Sequence, residues 1–283
     1  MFKSGAATSL PVAFGMAVRL IVVGGGKMGS ALVSGLISAN WAEARELAVV
    51  EPDDGRREVL GAQHDGLVLF DSPPRDQLAD DGGAVLAVKP EAAASACRSL
   101  QAAGINRVLS IVAGLATQRI ESGLAEGSIV VRAMPNTPAL IGAGVAAISG
   151  GTNARSIDLD WAESILAAVG KVVRLPERHL DAVTGLSGSG PAYFFLVAES
   201  MIEAGVSAGL TRDVSRTLVV ETLLGSARLL AETGESPEEL RSAVTSPGGT
   251  TAAGLRALEQ RAVRSAFLEA VLTATERSRQ LGH

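Results

Sequence analysis

The sequence predicts an α/β protein in two parts: a doubly wound, mostly parallel sheet followed by an all-helical domain. Three observations carry this. From Arg19 onward, short β-branched runs alternate with Ala-rich stretches of helical period. Runs such as Ile21-Val22-Val23 and Ile129-Val130-Val131 are apolar on successive residues, the pattern of strands buried on both faces. After Pro176 the strand signals cease. A chain of 283 residues is long enough for two domains with a substantial core.

The strands are expected at Arg19 to Val23, Leu47 to Glu51, Leu67 to Phe70, Ala84 to Val88, Arg107 to Val112, Ile129 to Ala133, Val145 to Ile148 and Val172 to Leu175. Their spacing fits βαβ units. Helices are expected at Asp181 to Leu186, Gly190 to Ala208, Arg212 to Glu232, Pro237 to Val244, Thr251 to Glu259 and Ala262 to Gln280. Ser236-Pro237-Glu238-Glu239 supplies a cap residue, an N1 proline and an N3 glutamate, the elements of a capping box. Residues 1–15 read as a disordered extension, 16–176 as the sheet domain starting at Met16, and 177–283 as the helical domain. The extension lacks an apolar segment joined to a cleavage site, although its freedom from acidic residues leaves a degenerate targeting peptide as the alternative.

Composition narrows the function classes. The formal net charge of -5, with both signs scattered, offers no stripe for nucleic acid. Hydrophobic residues reach 47%, but no run of about 18 apolar residues occurs, so no span across a membrane is expected. The single cysteine, Cys97, excludes an internal disulfide framework and a Cys-rich metal site, and fits a reducing, cytoplasmic setting. Packing within a helix accounts for Cys97. No metal is expected.

Gly24-x-Gly26-x-x-Gly29 follows the first strand and opens a helix near Met28, the context in which this pattern binds a dinucleotide. Gly24 permits the tight turn, Gly26 admits a pyrophosphate against the backbone beside Lys27 and Met28, and Gly29 allows close helix packing. This makes the sheet domain Rossmann-type. Glu51 ends the second strand 22 residues after Gly29, where an acidic side chain accepts from the adenosine ribose and favours NADH. Arg56 and Arg57 follow closely and could instead meet a 2′-phosphate, so NADPH or NADH is expected. Lys89-Pro90 leaves the fourth strand at its carboxyl end, where ligands bind in open α/β sheets, and Asn136 of Met134-Pro135-Asn136-Thr137-Pro138 leaves the sixth. Lys89 could hold a phosphate or the nicotinamide region, and Asn136 could bond the nicotinamide carboxamide or its surroundings. A surface lysine and an Asx turn are the plain alternatives.

Thr245-Ser246-Pro247-Gly248-Gly249-Thr250-Thr251 forms a small-residue turn that opens a helix. Pro247 fixes one φ angle, Gly248 and Gly249 let N–H groups converge, and the helix adds its positive end, together a seat for a carboxylate. An ordinary Ser/Thr N-cap is the alternative. Reduction of a carbonyl commonly needs a strong proton donor for the alkoxide. None of His64, His179 and His283 lies in a candidate motif, and no lysine follows Lys171. A protonated C=N substrate needs no such donor, because hydride addition quenches its charge. A hydroxyl at the nitrogen suffices, from Thr251 or, as second candidate, Ser246.

Asp181-Ala182-Val183-Thr184-Gly185-Leu186-Ser187-Gly188-Ser189-Gly190-Pro191-Ala192-Tyr193, followed by the turn at Thr245 to Thr251, resembles pyrroline-5-carboxylate reductase. The similarity runs from about Val18 to the end and includes Val88-Lys89-Pro90 and the Met134 to Pro138 turn. The resemblance implies reduction of L-1-pyrroline-5-carboxylate to L-proline by NAD(P)H. It implies a helical domain that dimerises and often builds a decamer. It also places the substrate carboxylate on backbone N–H groups of Gly248, Gly249 and Thr250, with Thr251 at the ring nitrogen. Two residues depart from the family pattern: Lys27 stands where Asn is frequent, and Glu51 replaces the small polar residue of members favouring NADP.

Leu218, Val219, Val220, Leu223, Leu224, Leu229 and Leu230 cover most of one helix circumference, which a buried subunit interface explains, as would an internal helix of the bundle. Competing readings are a 3-hydroxyacid dehydrogenase, which normally uses a helical-domain lysine absent here, an imine reductase for another ring, and a catalytically silent nucleotide sensor.

Overall fold

The computed structural model of the chain describes residues 17–282; the extension read at residues 1–15, Met16 and His283 lie outside them. In chain order the elements are β1 (Val18–Val23), α1 (Lys27–Ser38), β2 (Leu47–Val50), α2 (Asp54–Gln63), β3 (Val68–Phe70), β4 (Leu78–Leu86), α3 (Pro90–Ala102), β5 (Arg107–Ser110), α4 (Thr117–Glu121) and β6 (Ile129–Met134). Then come β7 (Gly144–Gly150), α5 (Ser156–Leu166), β8 (Gly170–Arg174), α6 (Leu180–Val183), α7 (Gly190–Ser207), α8 (Arg212–Thr233), α9 (Pro237–Ala243), α10 (Thr250–Gln260) and α11 (Val263–Gly282).

The strands follow the sheet order β3-β2-β1-β4-β5-β6-β7-β8. β1 pairs in parallel with both β2 and β4, so the order reverses beside β1, the switch point at which doubly wound sheets open a ligand crevice. β2–β3, β4–β5, β5–β6 and β7–β8 are also parallel. Every strand expected from the sequence is present. β4 starts earlier than its apolar run, at Leu78, because its first half contains Asp80-Asp81-Gly82-Gly83, residues of poor strand propensity that read as a turn. Gly83 is required there: a Cβ would lie 2.5 Å from the Trp161 ring. Arg107 stacks over the other side of that problem, 4.4 Å from the Trp161 centroid, and bonds the buried Asp158 at 2.9 Å, which fastens α5 at the amino ends of β4 and β5.

Packing divides the chain into two compact units. The first holds residues 17–112, 117–132 and 150–169. Its core is the run of fully buried side chains on β1, β2, β4 and β5, with Leu32, Val33 and Leu36 of α1 facing it. The second holds residues 113–116, 133–149 and 170–282, so β7 and β8 go with the helices, whereas sequence alone suggests a boundary after Pro176. Side-chain contacts between the residue 134–145 segment and the helical run from Leu180, described below, account for the difference.

In the second unit α6 continues through a π turn at Thr184–Gly188 into α7, where the sequence suggests an ordinary helix end. α7 and α8 form a close hairpin in which a Cβ on Gly205 would meet Ser215 Oγ at 2.6 Å. Much of the apolar surface of these helices faces outward. Phe194, Phe195, Leu196, Leu218, Leu224 and Leu229 are exposed, Val219 is buried, and α10 has no buried residue. Burial of a Leu or Phe side chain is worth about 1.5–3 kcal/mol, so a face of this kind favours self-association. The double variant Phe195→Asp/Leu224→Asp should have a lower mass than the wild type by light scattering; an unchanged mass would remove this face from the subunit contact.

Candidate active site

The first unit contains a cleft of about 320 Å³ at the carboxyl ends of β1, β2 and β4. Gly24 and Gly26 form one wall, Glu51 and Arg56 the second, and Val88 and Lys89 the third. Gly24 has φ 108°, and a Cβ on it would lie 2.6 Å from Ala87 O. Gly29 packs closer still, with a Cβ position 2.0 Å from Gly24 O. A Cβ on Gly26 meets nothing within 4 Å, so the backbone there is open to a ligand. α1 begins at Lys27, one residue before the expected Met28, and its N-cap, Gly26, provides no side-chain acceptor for the first-turn N–H groups. This donor set fits a pyrophosphate. Lys27 is exposed, and neither it nor Met28 lines the cleft.

At the end of β2 the buried Glu51 turns its carboxylate toward the loop. Oε2 accepts from Gly25 N–H at 3.0 Å and Oε1 from Asp53 N–H at 3.1 Å. Those bonds leave lone pairs for a ribose, but they also make Glu51 the tether of the glycine loop, a role that sequence position does not reveal. Arg56 and Arg57 separate. Arg57 bonds Glu51 O and the Asp54 carboxylate, whereas Arg56 is largely exposed, lines the cleft and lies 3.8 Å from Glu51 Oε2. Ser72, Pro73, Ser95 and Ser99 complete the wall, and sequence reading misses them. The only hint was Ser95 and Ser99 one turn apart on α3. Lys89 is the N-cap of α3 and Pro90 its N1 residue, with Lys89 on the cleft. Burial pushes the Cys97 pKa above its ordinary value, against the pull of Arg98, so the thiol stays protonated and acts as packing.

In the second unit Asn136 is buried with its amide engaged by protein groups. Oδ1 accepts from Val145 N–H at 2.9 Å and Nδ2 donates to Ser187 O at 3.2 Å, which leaves one N–H of the two. Between α9 and α10, Ser246 to Gly249 form a type II turn, with Pro247 second, Gly248 third at φ 71°, and Gly249 N–H donating to Ser246 O at 3.1 Å. Gly249 therefore spends its N–H on closing the turn. Of the three amides that the resemblance implies for a carboxylate, Gly249 N–H is thus the one engaged within the turn. α10 starts at Thr250, one residue earlier than expected, with Gly249 as a cap that has no side chain and no acidic residue in the first turn. A Cβ on Gly249 would strike Ser246 Oγ at 2.4 Å. Among the described residues no group of three or more His, Cys, Asp or Glu could hold a metal, and no helix is long and apolar enough to cross a membrane.

Comparisons with known proteins show the family. Residues 177–281 match the family model for pyrroline-5-carboxylate reductase dimerisation, and residues 19–114 that for NADP oxidoreductase, coenzyme F420-dependent. The chain is 43% identical to pyrroline-5-carboxylate reductase of Synechocystis over 94% of its own length and 99% of that protein. It is 38% identical to the Corynebacterium melassecola reductase, over 93% and 98%. The chain belongs to the pyrroline-5-carboxylate reductase family. Among solved structures, the reductase of Coxiella burnetii superposes with a TM-score of 0.87 at 34% identity, covering 94% of this chain and 99% of that one. The Plasmodium falciparum enzyme with NADP bound gives 0.81 at 32%, covering 95% and 100%.

In this reductase Arg56 lines the cleft beside Glu51, which makes it the side chain to test for contact with a 2′-phosphate. Arg56→Ala should raise the Kd for NADPH roughly tenfold, about 1.4 kcal/mol, and change that for NADH by less than about twofold. Equal effects on the two cofactors, measured by fluorescence titration, would show that Arg56 does not discriminate between them.

Proposed function

We propose that this reductase converts L-1-pyrroline-5-carboxylate to L-proline, the last step of proline synthesis, with the turn at Ser246–Thr251 as the substrate seat and Thr251 as the residue at the ring nitrogen. The observation that carries the proposal is the glycine-capped start of α10, which has no side-chain cap and no acidic residue in its first turn. The substrate carboxylate accepts from the amides of Gly248, Thr250 and Thr251, with the helix dipole favouring the negative charge. That anchors one end of the ring. The Thr251 hydroxyl then bonds the ring nitrogen, as acceptor from the iminium N–H or donor to the amine product, with Ser246 as the second hydroxyl.

Bound NAD(P)H supplies the hydride. The protein's contribution is to hold that cofactor through Gly24, Gly26 and Gly29, to orient its two ends by Glu51, Arg56 and Lys89, and to hold the imine carbon in register. Because the iminium nitrogen already carries its proton and positive charge, no strong acid is needed at the nitrogen when hydride reaches the carbon. Glu51 favours NADH through the ribose, and Arg56 favours NADPH through the phosphate; the pair suits a reductase that accepts both. The exposed apolar helices suit a homodimer, which five-fold assembly would extend to a decamer, and the chemistry suits the cytoplasm.

NADH and NADPH oxidation followed at 340 nm with and without L-1-pyrroline-5-carboxylate tests the reaction and the cofactor ranking together. Thr251→Ala should lower kcat by roughly tenfold or more, about 1.4 kcal/mol, with cofactor affinity nearly unchanged. Wild-type turnover in that variant would remove Thr251 from the mechanism.

A further inference from the structure

The loop between β1 and α1 is fixed by bonds within the protein, and one residue outside the glycine pattern contributes to them. Gly24 N–H donates to Val50 O at 2.8 Å, which ties the loop to the end of β2. Gly25 is held at both of its polar ends: its N–H donates to Glu51 Oε2 at 3.0 Å, and its carbonyl accepts from the Ser30 hydroxyl at 3.0 Å. A Cβ on Gly25 would lie 2.8 Å from Leu60 Cδ1 and 3.2 Å from Glu51 Cβ, so the residue packs closely against β2 and α2. Gly26 differs. It has open space where a Cβ would stand, and it lines the cleft with Gly24.

The bond from Ser30 is informative because the helix itself does not require it. The α1 ladder starts at Gly26 O, which accepts from Ser30 N–H at 2.9 Å, so the Gly25 carbonyl lies one residue ahead of that ladder. Ser30 therefore serves two successive carbonyls, the cap residue through its N–H and the residue before the cap through its hydroxyl. The Gly25 carbonyl and the Gly26 N–H belong to one planar trans peptide and point in opposite directions. Holding the first sets the direction of the second. Ser30 does not line the cleft, so any effect it has on a ligand passes through this peptide.

We propose that Ser30 is a positioning residue for the cofactor: by holding the Gly25 carbonyl it sets the direction of the Gly26 N–H, and with Glu51 it pre-forms the loop that receives the pyrophosphate. This role rests on the reading of the cleft as the NAD(P)H site. A loop already in its binding geometry loses no affinity to being ordered. Both dinucleotides contain the pyrophosphate, so Ser30 serves NADH and NADPH alike, in contrast to the discrimination expected of Arg56. Ser30→Ala removes the hydroxyl and puts the best helix former in its place, so it loosens the loop without weakening α1. Ser30→Thr keeps the donor.

The test measures Kd by calorimetry for NADH, NADPH and ADP, the last a probe that keeps a diphosphate and lacks nicotinamide. It uses the full-length wild type, Ser30→Ala and Ser30→Thr, with melting temperature, mass by light scattering and hydrogen exchange at Gly25 measured on the same proteins. Ser30→Ala should raise all three Kd values by about fivefold, with the NADH and NADPH shifts equal to within about twofold. Faster exchange at Gly25 should accompany the loss. Ser30→Thr should return each Kd to within about twofold of the wild type. At saturating cofactor, kcat of Ser30→Ala should stay within about twofold, since the hydroxyl acts on binding. Unchanged Kd values in Ser30→Ala would overturn the role. So would a rise confined to one dinucleotide, a loss that Ser30→Thr does not reverse, or one that only follows a lowered melting temperature or mass. Failure of the wild type to bind either dinucleotide would overturn the reading of the cleft itself, a separate result.

Discussion

Both binding regions depend on the same physical constraint: a helix whose first N–H groups are left without a side-chain partner. Every α-helix begins with donors that its own carbonyls cannot reach. In this chain α2, α8 and α9 meet that demand with side chains of Asp53, Thr211 and Ser236. α1 and α10 do not. Their N-caps are Gly26 and Gly249, which have no side chain to offer, and neither helix has an acidic residue in its first turn. A glycine cap costs only a few tenths of a kcal/mol relative to Ser or Asp, but it leaves the donors and the dipole for a ligand. Starts of this kind suit anions, a pyrophosphate at α1 and, in the proposed function, a carboxylate at α10, and would leave the surrounding side chains to choose between similar molecules.

The glycines at these two starts are constrained differently, which explains why one region is easier to read from sequence than the other. At α1 the three motif glycines have three separate reasons: positive φ at Gly24, an open approach at Gly26, and the near-contact of Gly29 with Gly24 O. Such a pattern at the end of a first strand has few other uses. At α10 only Gly248 has positive φ, and Gly249 is held by its closeness to Ser246 Oγ, so the same residues fit an ordinary type II turn. The sequence therefore identifies the turn but not which amides it leaves free. That Gly249 closes the turn with its own N–H depends on backbone geometry, which the residue types permit but do not dictate.

The same distinction runs through the fold. Strands and helices with apolar periods were legible because burial imposes the period. The first half of β4 was not, since Asp80-Asp81-Gly82-Gly83 carries no apolar signal and is held by neighbours such as Trp161. The π turn was invisible for a related reason: its residues are helix-compatible, and two of its carbonyls are bonded by side chains outside it, those of Tyr193 and Asn136. Glu51 was found by position, but its inward bonds to Gly25 and Asp53 come from the path of the loop. Arg56 and Arg57, adjacent in sequence, part company because Arg57 is drawn back onto Glu51 O and Asp54. Long-range partners, rather than local propensity, decide each of these cases.

The lack of an obvious acid in the helical part of the chain becomes informative once its polar side chains are located. No lysine follows Lys171, and the one tyrosine, Tyr193, directs its hydroxyl to the Gly185 carbonyl. A carbonyl substrate would need a proton delivered at the moment hydride arrives, because an alkoxide in a dry site is costly. An iminium ring avoids that need: it enters with its proton, and hydride transfer removes a charge instead of creating one. Selection for such a reaction acts on distance and orientation, since little proton transfer remains to be catalysed. The residues that matter most are then the ones that hold backbone in place, such as paired glycines, a proline in a turn and a buried amide bonded at both ends. Those are the residue types found at Gly24 and Gly29, at Pro247 and at Asn136.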